Sequence, residues 1–251
     1  MKYTVITGAS SGIGYEAALE FAKRGKHLII IARRQDKLEE LKTAVKDINA
    51  EADVVVYTAD LATAENAYTL YEDLKKYEIE TWINNAGFGN FASVGEQDLN
   101  KIGKMLHLNI EALTILSSLY VRDYENVEGA QLLNISSAGG YNIVPNAVTY
   151  CATKFYVSAF TEGLGQELQG KGAKMQAKVL APAATETEFA DRARGTKGFD
   201  YRGNVPQYHT AKEMAGFLLN LYDGDKIVGI VDGQTYKFEL RNPIFSYAGK
   251  R

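Results

Sequence analysis

One cysteine (Cys151), three histidines and four prolines among 251 residues leave several kinds of protein without their raw material. A lone thiol closes no intrachain disulfide, so the fold is expected to rest on its core and to suit a reducing compartment such as the cytoplasm. His27, His107 and His209 stand far apart with no metal-ligand spacing around them, so no metal is expected and a zinc dehydrogenase lacks support. No G-x-S-x-G elbow of a serine hydrolase is present. Apolar runs such as 28–32 and 54–56 fall far short of the roughly 20 residues that cross a bilayer, so no membrane partner is expected. The opening residues Met1 to Gly8 lead into a strand and a turn instead of an apolar leader. A net charge of −3 with pI near 5.7 offers no broad positive field for nucleic acid. Internal repeats, low-complexity tracts and Pro/Gly/Ser-rich linkers are absent as well.

What remains is a chain of ordinary globular composition, 46% hydrophobic and 24% charged, which argues for one soluble domain over residues 1–251. Short β-branched runs at 3–7, 28–32, 54–57, 81–84, 131–135, 177–180 and 227–231 predict strands. Helical spacing of apolar residues falls between them, at 12–24, 36–48, 63–76, 98–120, 148–169 and 210–222. Asp36-Lys37-Leu38-Glu39 has the form of a capping box opening the second helix. A repeated β-α order predicts an α/β fold, a doubly wound parallel sheet of Rossmann type in three α/β/α layers. Ligands of such sheets bind beyond the carboxyl ends of the strands. Residues 183–208, with Gly195, Gly198, Gly203 and Pro206 among charges, lack a strong pattern and form a candidate mobile substrate loop.

The first strand runs into Gly8-Ala9-Ser10-Ser11-Gly12-Ile13-Gly14, then a helix. Spaced glycines at this point allow a tight turn, a close approach of main chain to a pyrophosphate, and tight helix-on-strand packing beside free N–H groups. The stretch is thus a candidate dinucleotide-phosphate cradle. Beside the adenosine ribose, at the end of the second strand, Arg33 and Arg34 stand where an acid would bind the 2′-hydroxyl. Forked, charge-assisted contacts to a 2′-phosphate favour NADP(H), with NAD(H) the lesser alternative; Asp36 is the objection, set against its capping position.

Tyr150 and Lys154 lie four residues apart in a predicted helix and share one face. A phenol of ordinary pKa near 10 is a poor acid–base catalyst at neutral pH, and a neighbouring ammonium stabilises its anion. Ser137 follows the fifth strand, placing a hydroxyl at a carboxyl end. With the glycine loop, Asn84-Asn85-Ala86-Gly87 after the fourth strand and Tyr150-Cys151-Ala152-Thr153-Lys154, the chain resembles the short-chain dehydrogenase/reductase family in its single-domain form, through nearly its whole length.

The resemblance implies an oxidoreductase that transfers hydride between NADP(H) and a small-molecule carbonyl or alcohol. It implies Tyr150 as proton donor, Lys154 lowering the tyrosine pKa and bonding the nicotinamide ribose, Ser137 (in preference to Ser136) polarising the carbonyl, and Asn109 kinking its helix and positioning a relay water. Asp60 and Leu61 resemble the adenine-side contact and Asn85, Ala86 and Gly87 the cofactor wall, while Asn84 is read as sheet support. Pro182 and Thr187 resemble the segment that binds the nicotinamide carboxamide. Two departures stand out: Ala183 where the family has glycine, and Asn109-Ile110-Glu111-Ala112 where it often has N-V-x-G. A homodimer or homotetramer through the helices at 98–120 and 148–169 is implied too. The rival reading is a catalytically silent nucleotide-binding regulator or scaffold that keeps the cradle without the chemistry.

Overall fold

The computed structural model describes residues 1–248. The chain opens β1 (Lys2–Thr7), α1 (Gly12–Lys23), β2 (His27–Ala32), α2 (Gln35–Ile48), β3 (Val54–Thr58), α3 (Ala64–Leu74), β4 (Glu78–Asn84). It continues α4 (Leu99–Leu106), a π-helical turn (His107–Ala112), α5 (Leu113–Tyr124), β5 (Gln131–Ile135), α6 (Val148–Lys171) and β6 (Gln176–Ala181). Last come β7 (Thr185–Glu186), α7 (Phe189–Arg194), α8 (Tyr201–Asn204), β8 (His209–Thr210), α9 (Ala211–Asp223), β9 (Val228–Val231) and β10 (Phe238–Arg241).

The main sheet runs β10-β9-β6-β5-β4-β1-β2-β3, parallel except for β10, which pairs antiparallel with β9. This is the doubly wound, Rossmann-like fold expected from the β-α order, and the strand order reverses between β1 and β4. Strands covered on both faces need apolar residues at every position, and Leu28, Ile29, Ile30 and Ile31 of β2 are all buried. Alternate residues feed two cores: Leu28 and Ile30 join Phe21, Leu38 and Leu218 of α1, α2 and α9, whereas Ile29 and Ile31 join Leu70, Leu116 and Leu168 of α3, α5 and α6. Gly165 lets α6 lie directly on the sheet, since a Cβ there would come within 2.9 Å of the Ala177 carbonyl oxygen.

Two expectations need correction, and one segment, 183–208, holds more regular structure than its pattern suggested. The 98–120 helix is broken by the π-helical turn that carries Asn109. The 183–208 stretch holds β7, α7 and α8, and β7 pairs with β8 in a separate two-stranded parallel ribbon. Asp36 caps nothing: the chain leaves β2 and enters α2 at Arg34, whose carbonyl accepts the Leu38 N–H at 3.2 Å, so Asp36 falls inside the first turn. There its carboxylate complements the helix dipole instead. A full capping box opens α9, where the Thr210 hydroxyl accepts the Glu213 N–H at 3.2 Å and Glu213 Oε2 accepts the Thr210 N–H at 2.8 Å.

Thr210→Ala is therefore expected to cost about 1 kcal/mol in urea unfolding, and Asp36→Ala to stay within about 0.5 kcal/mol. Equal losses would contradict this placing of the caps.

Candidate active site

At the strand reversal the ends of β1 and β4 lie side by side. Thr7 Oγ1 accepts the backbone N–H groups of Asn85 and Ala86, each at 3.0 Å, and Asn85 Nδ2 donates back to the carbonyls of Thr7 at 3.0 Å and Gly8 at 3.2 Å. Gly8, at φ +69°, lies so near this segment that a Cβ would fall 2.8 Å from Ala86 Cα. On Gly14 a Cβ would meet the Gly8 carbonyl oxygen at 2.7 Å. Ser11 stands at the N-cap of α1 without a side-chain capping bond, leaving the first-turn N–H groups for an anion. Gly12, at φ +59°, packs on Thr187, whose Cγ2 lies 3.0 Å from the Cβ position, so the cradle and the 183–208 stretch touch.

A cavity of about 970 Å³ runs along these carboxyl ends. Seventeen of the nineteen residues proposed from sequence line it: Gly8, Ser10, Ser11, Gly12, Ile13, Arg33, Arg34, Asp60, Leu61, Asn85, Ala86, Gly87, Ser137, Tyr150, Lys154, Pro182 and Thr187. Gly14 and Asn109 stand one layer behind. The size is at the upper end for small-molecule sites and the cradle fits a dinucleotide. Asp36 is not among the lining residues.

At the nucleotide end Arg33 is exposed, while Arg34 reaches across to the Ser10 hydroxyl at 3.3 Å and to Glu188 at 2.9 Å. Glu188 also pairs with Arg192 at 2.5 Å. Burial works against the Glu188 carboxylate, but Arg34, Arg192 and the Ser11 hydroxyl together hold its pKa below the usual range. Asp60 Oδ1 accepts the Ala62 N–H at 3.1 Å, fixing the turn after β3.

Tyr150, Ser137 and Lys154 all line the cavity. Ser136 turns away: its Oγ lies 2.9 Å from the Lys154 carbonyl and 2.7 Å from Ser158 Oγ, which ties β5 to α6. Gly140 permits that approach, because a Cβ would lie 2.6 Å from the Lys154 carbonyl oxygen. Lys154 Nζ donates to the Ile135 carbonyl at 2.9 Å and lies 6.0 Å from the Tyr150 ring centre. Asn109 Nδ2 donates to the Phe88 carbonyl at 2.9 Å and to Thr153 Oγ1 at 3.1 Å, and its Oδ1 accepts the Phe88 N–H at 3.2 Å. A Cβ on Gly87 would lie 3.1 Å from Asn109 Oδ1 and 3.5 Å from Lys154 Nζ, so Gly87 fills the gap between the two. Asn84, as expected, is sheet support: its Nδ2 donates to Ser117 and Asn134 side chains at 3.0 Å each. Ala183 carries no left-handed strain, since positive φ outside glycine belongs to Asn146 and Tyr236 among the described residues.

Burial sets the protonation states. It pushes the Tyr150 phenol well above its ordinary value, with the Ser137 hydroxyl pulling the other way. It brings the Lys154 ammonium down to about 8. At neutral pH Tyr150 is therefore a phenol, the form that donates a proton.

At the far end Phe91, Phe189, Phe199 and Tyr201 line the wall with Arg194 and, from the β9–β10 turn, Gln234 and Tyr236. Phe88 and Val144 line it too, whereas Tyr141 turns to bond Glu162 at 2.6 Å and Ile143 is exposed outside it. Thr7, Gly140 and Thr153 were not singled out from sequence; a hydroxyl ending the first strand just before the glycines was the available signal for Thr7. Among the described residues no group of His, Cys, Asp and Glu is arranged to hold a metal ion, and no helix is long and apolar enough to cross a membrane.

Comparison with known proteins agrees with this layout. The sequence profile described as short chain dehydrogenase matches residues 2–198. Dehydrogenase/reductase SDR family member 11 of Homo sapiens is 29% identical over 195 residues, 75% of each chain. Among solved structures, a short-chain dehydrogenase from Sphingobium yanoikuyae in complex with NADPH is 30% identical and superposes with TM-score 0.83, covering 92% of this chain and 87% of that one. The bulky-bulky ketone specific alcohol dehydrogenase from Comamonas testosteroni is 26% identical with TM-score 0.79, covering 92% and 86%.

The depressed Lys154 value makes a testable sign. Between about pH 8 and the ordinary 10.5 the unfolded chain binds a proton at this lysine that the folded chain does not, so this group raises stability with pH across that window. Urea unfolding of Lys154→Met at steps from pH 7.5 to 9.5 is expected to show a shallower rise than the parent; an identical slope would show that the lysine titrates normally.

Proposed function

We propose a function from one premise: the chain belongs to the short-chain dehydrogenase/reductase family of oxidoreductases, and a relative of known structure is in complex with NADPH. It interconverts a carbonyl and an alcohol, with NADP(H) as the preferred cofactor and Tyr150 as the general acid/base. The observation that carries this is the convergence of Ser137, Tyr150 and Lys154 on the same cavity that the glycine cradle lines.

When bound, the nicotinamide supplies or accepts the hydride. The protein's own share is proton control and placement. Tyr150, kept as a phenol by burial, donates its proton to the carbonyl oxygen, and the Ser137 hydroxyl holds that oxygen as charge develops on it. Lys154, a buried cation with one carbonyl partner, stabilises the phenolate left behind. Asn109 holds Phe88 and Thr153 from behind, a positioning role beside any relay it supports. In oxidation the same groups act in reverse.

Arg33 and Arg34 support the preference for NADP(H): both line the nucleotide end, and Asp36 does not. Arg34 already faces Glu188, so of these two arginines Arg33 is the one without a carboxylate partner among the described residues. The 183–208 stretch, which spans one side of the cavity, is proposed to move as substrate enters. Exposed Leu99, Leu106 and Val148 support assembly of copies through α4 and α6.

Tyr150→Phe is expected to lower kcat for ketone reduction by roughly a hundredfold or more with NADPH affinity kept. If NADPH binds in titration but a panel of carbonyls is not turned over and the variant changes nothing, the silent-scaffold reading replaces this one. Arg33→Ala is expected to lower the ratio of kcat/KM with NADPH to that with NADH by about tenfold, and an unchanged ratio would remove Arg33 from cofactor choice.

A further inference from the structure

The far end of the cavity holds a cation that the chemistry above does not use. Arg194 closes α7 and lines the cavity, with its guanidinium carbon 4.7 Å from the Phe91 ring centre and 4.9 Å from that of Phe199. The carboxylates around it are committed elsewhere. Glu188 pairs with Arg34 and Arg192. Asp191 accepts the Thr196 hydroxyl and the N–H groups of Gly198 and Phe199, at 3.2, 3.0 and 2.9 Å. Asp200 accepts the Arg202 N–H at 3.0 Å and caps α8. No ion pair or side-chain hydrogen bond involves Arg194 among the described residues. An arginine stacked against aromatic rings keeps its five in-plane N–H donors for a carboxylate fork.

An apolar path joins this guanidinium to the reacting centre. Phe189, at the other end of α7, has its ring centre 5.3 Å from that of Tyr150, and Phe91 and Phe189 both pack on the cluster containing Tyr150. The backbone fixes the spacing: the Phe91 N–H donates to the Ala193 carbonyl at 3.2 Å, and Lys101 Nζ donates to the carbonyls of Arg192 and Ala193 at 3.1 Å each. From Phe189 to Arg194 the helix rises about 7.5 Å. We infer that the substrate of the proposed carbonyl reduction is amphipathic, with an apolar chain or ring beside the carbonyl and a carboxylate that Arg194 binds at the far end of the cavity. The inference rests on that proposed function and names its substrate class.

The test compares aryl ketones bearing a carboxylate three to five methylenes from the carbonyl with their primary amides, using NADPH and the full-length protein. The parent is expected to prefer the carboxylates in kcat/KM by about tenfold, and Arg194→Met, which keeps a stem against the two rings, to bring that ratio close to one; Arg194→Lys should retain part of it. A parent without the preference, a ratio that survives in Arg194→Met, or an equal loss for both ketone types would overturn the inference, the last by showing a clasp between Phe91 and Phe199 and nothing more. If neither ketone type is turned over, the proposed function fails separately. Calorimetry of 5-phenylpentanoate against its amide on the NADPH-loaded protein then still reads the subsite: binding of the acid alone supports it, and equal binding overturns it.

Discussion

Two backbone N–H groups, from Asn85 and Ala86, converge on the single hydroxyl of Thr7, and the rest of the site is built outward from that junction. A buried hydrogen bond of this sort contributes about 1 kcal/mol, yet its position matters more than its strength. It draws the end of β4 against the end of β1 at the place where the strand order reverses. Only glycine at residue 8 then fits beneath Ala86, and the cofactor cradle and the wall at Asn85 to Gly87 share one rigid edge. Parallel pairing of β4 with β5 carries the same edge to Ser137, and the Ser136 bond to the Lys154 carbonyl carries it on to α6. Tyr150 and Lys154 thus inherit their places from strand ends and not from loops.

Burial supplies the chemistry that spacing alone does not. The helical interval between Tyr150 and Lys154 suggested an ammonium lowering a phenol's pKa, but the dominant effect on both groups is loss of water, which favours the neutral form of each. At neutral pH the phenol is uncharged and Lys154, brought to about 8, is still mostly an ammonium, so the resting pair carries one positive charge. Negative charge appearing on a substrate oxygen or on the phenol is met by that cation, already in place.

Much of this was legible in the chain. Strands such as β2 announce themselves because a sheet covered on both sides demands an unbroken apolar run, and the glycine loop because cradle geometry excludes side chains. The misses have physical reasons too. β10 is an exposed edge strand with charged residues, so it carries no core pattern, and β7 and β8 are two residues each, shorter than any period. The π-helical turn hides inside continuous helical spacing, with Asn109 in an apolar stretch as its one sign. Asp36 looked like a cap because local pattern cannot see that Arg34 already occupies the helix entrance. Arg34 with Glu188, and Arg194 with Phe91, are partners far apart in sequence that only the fold brings together.

The Arg34–Glu188–Arg192 cluster spans the cavity from the end of β2 to α7. Its members are partly exposed, and such ion pairs are worth about 0–1 kcal/mol each. A bridge of about 1 kcal/mol stands open in roughly one molecule in six at room temperature, and dissolved salt raises that share by screening the charges. The bridge is therefore not a lock. It leaves the end of β2 joined to α7 in most molecules and parted in the rest.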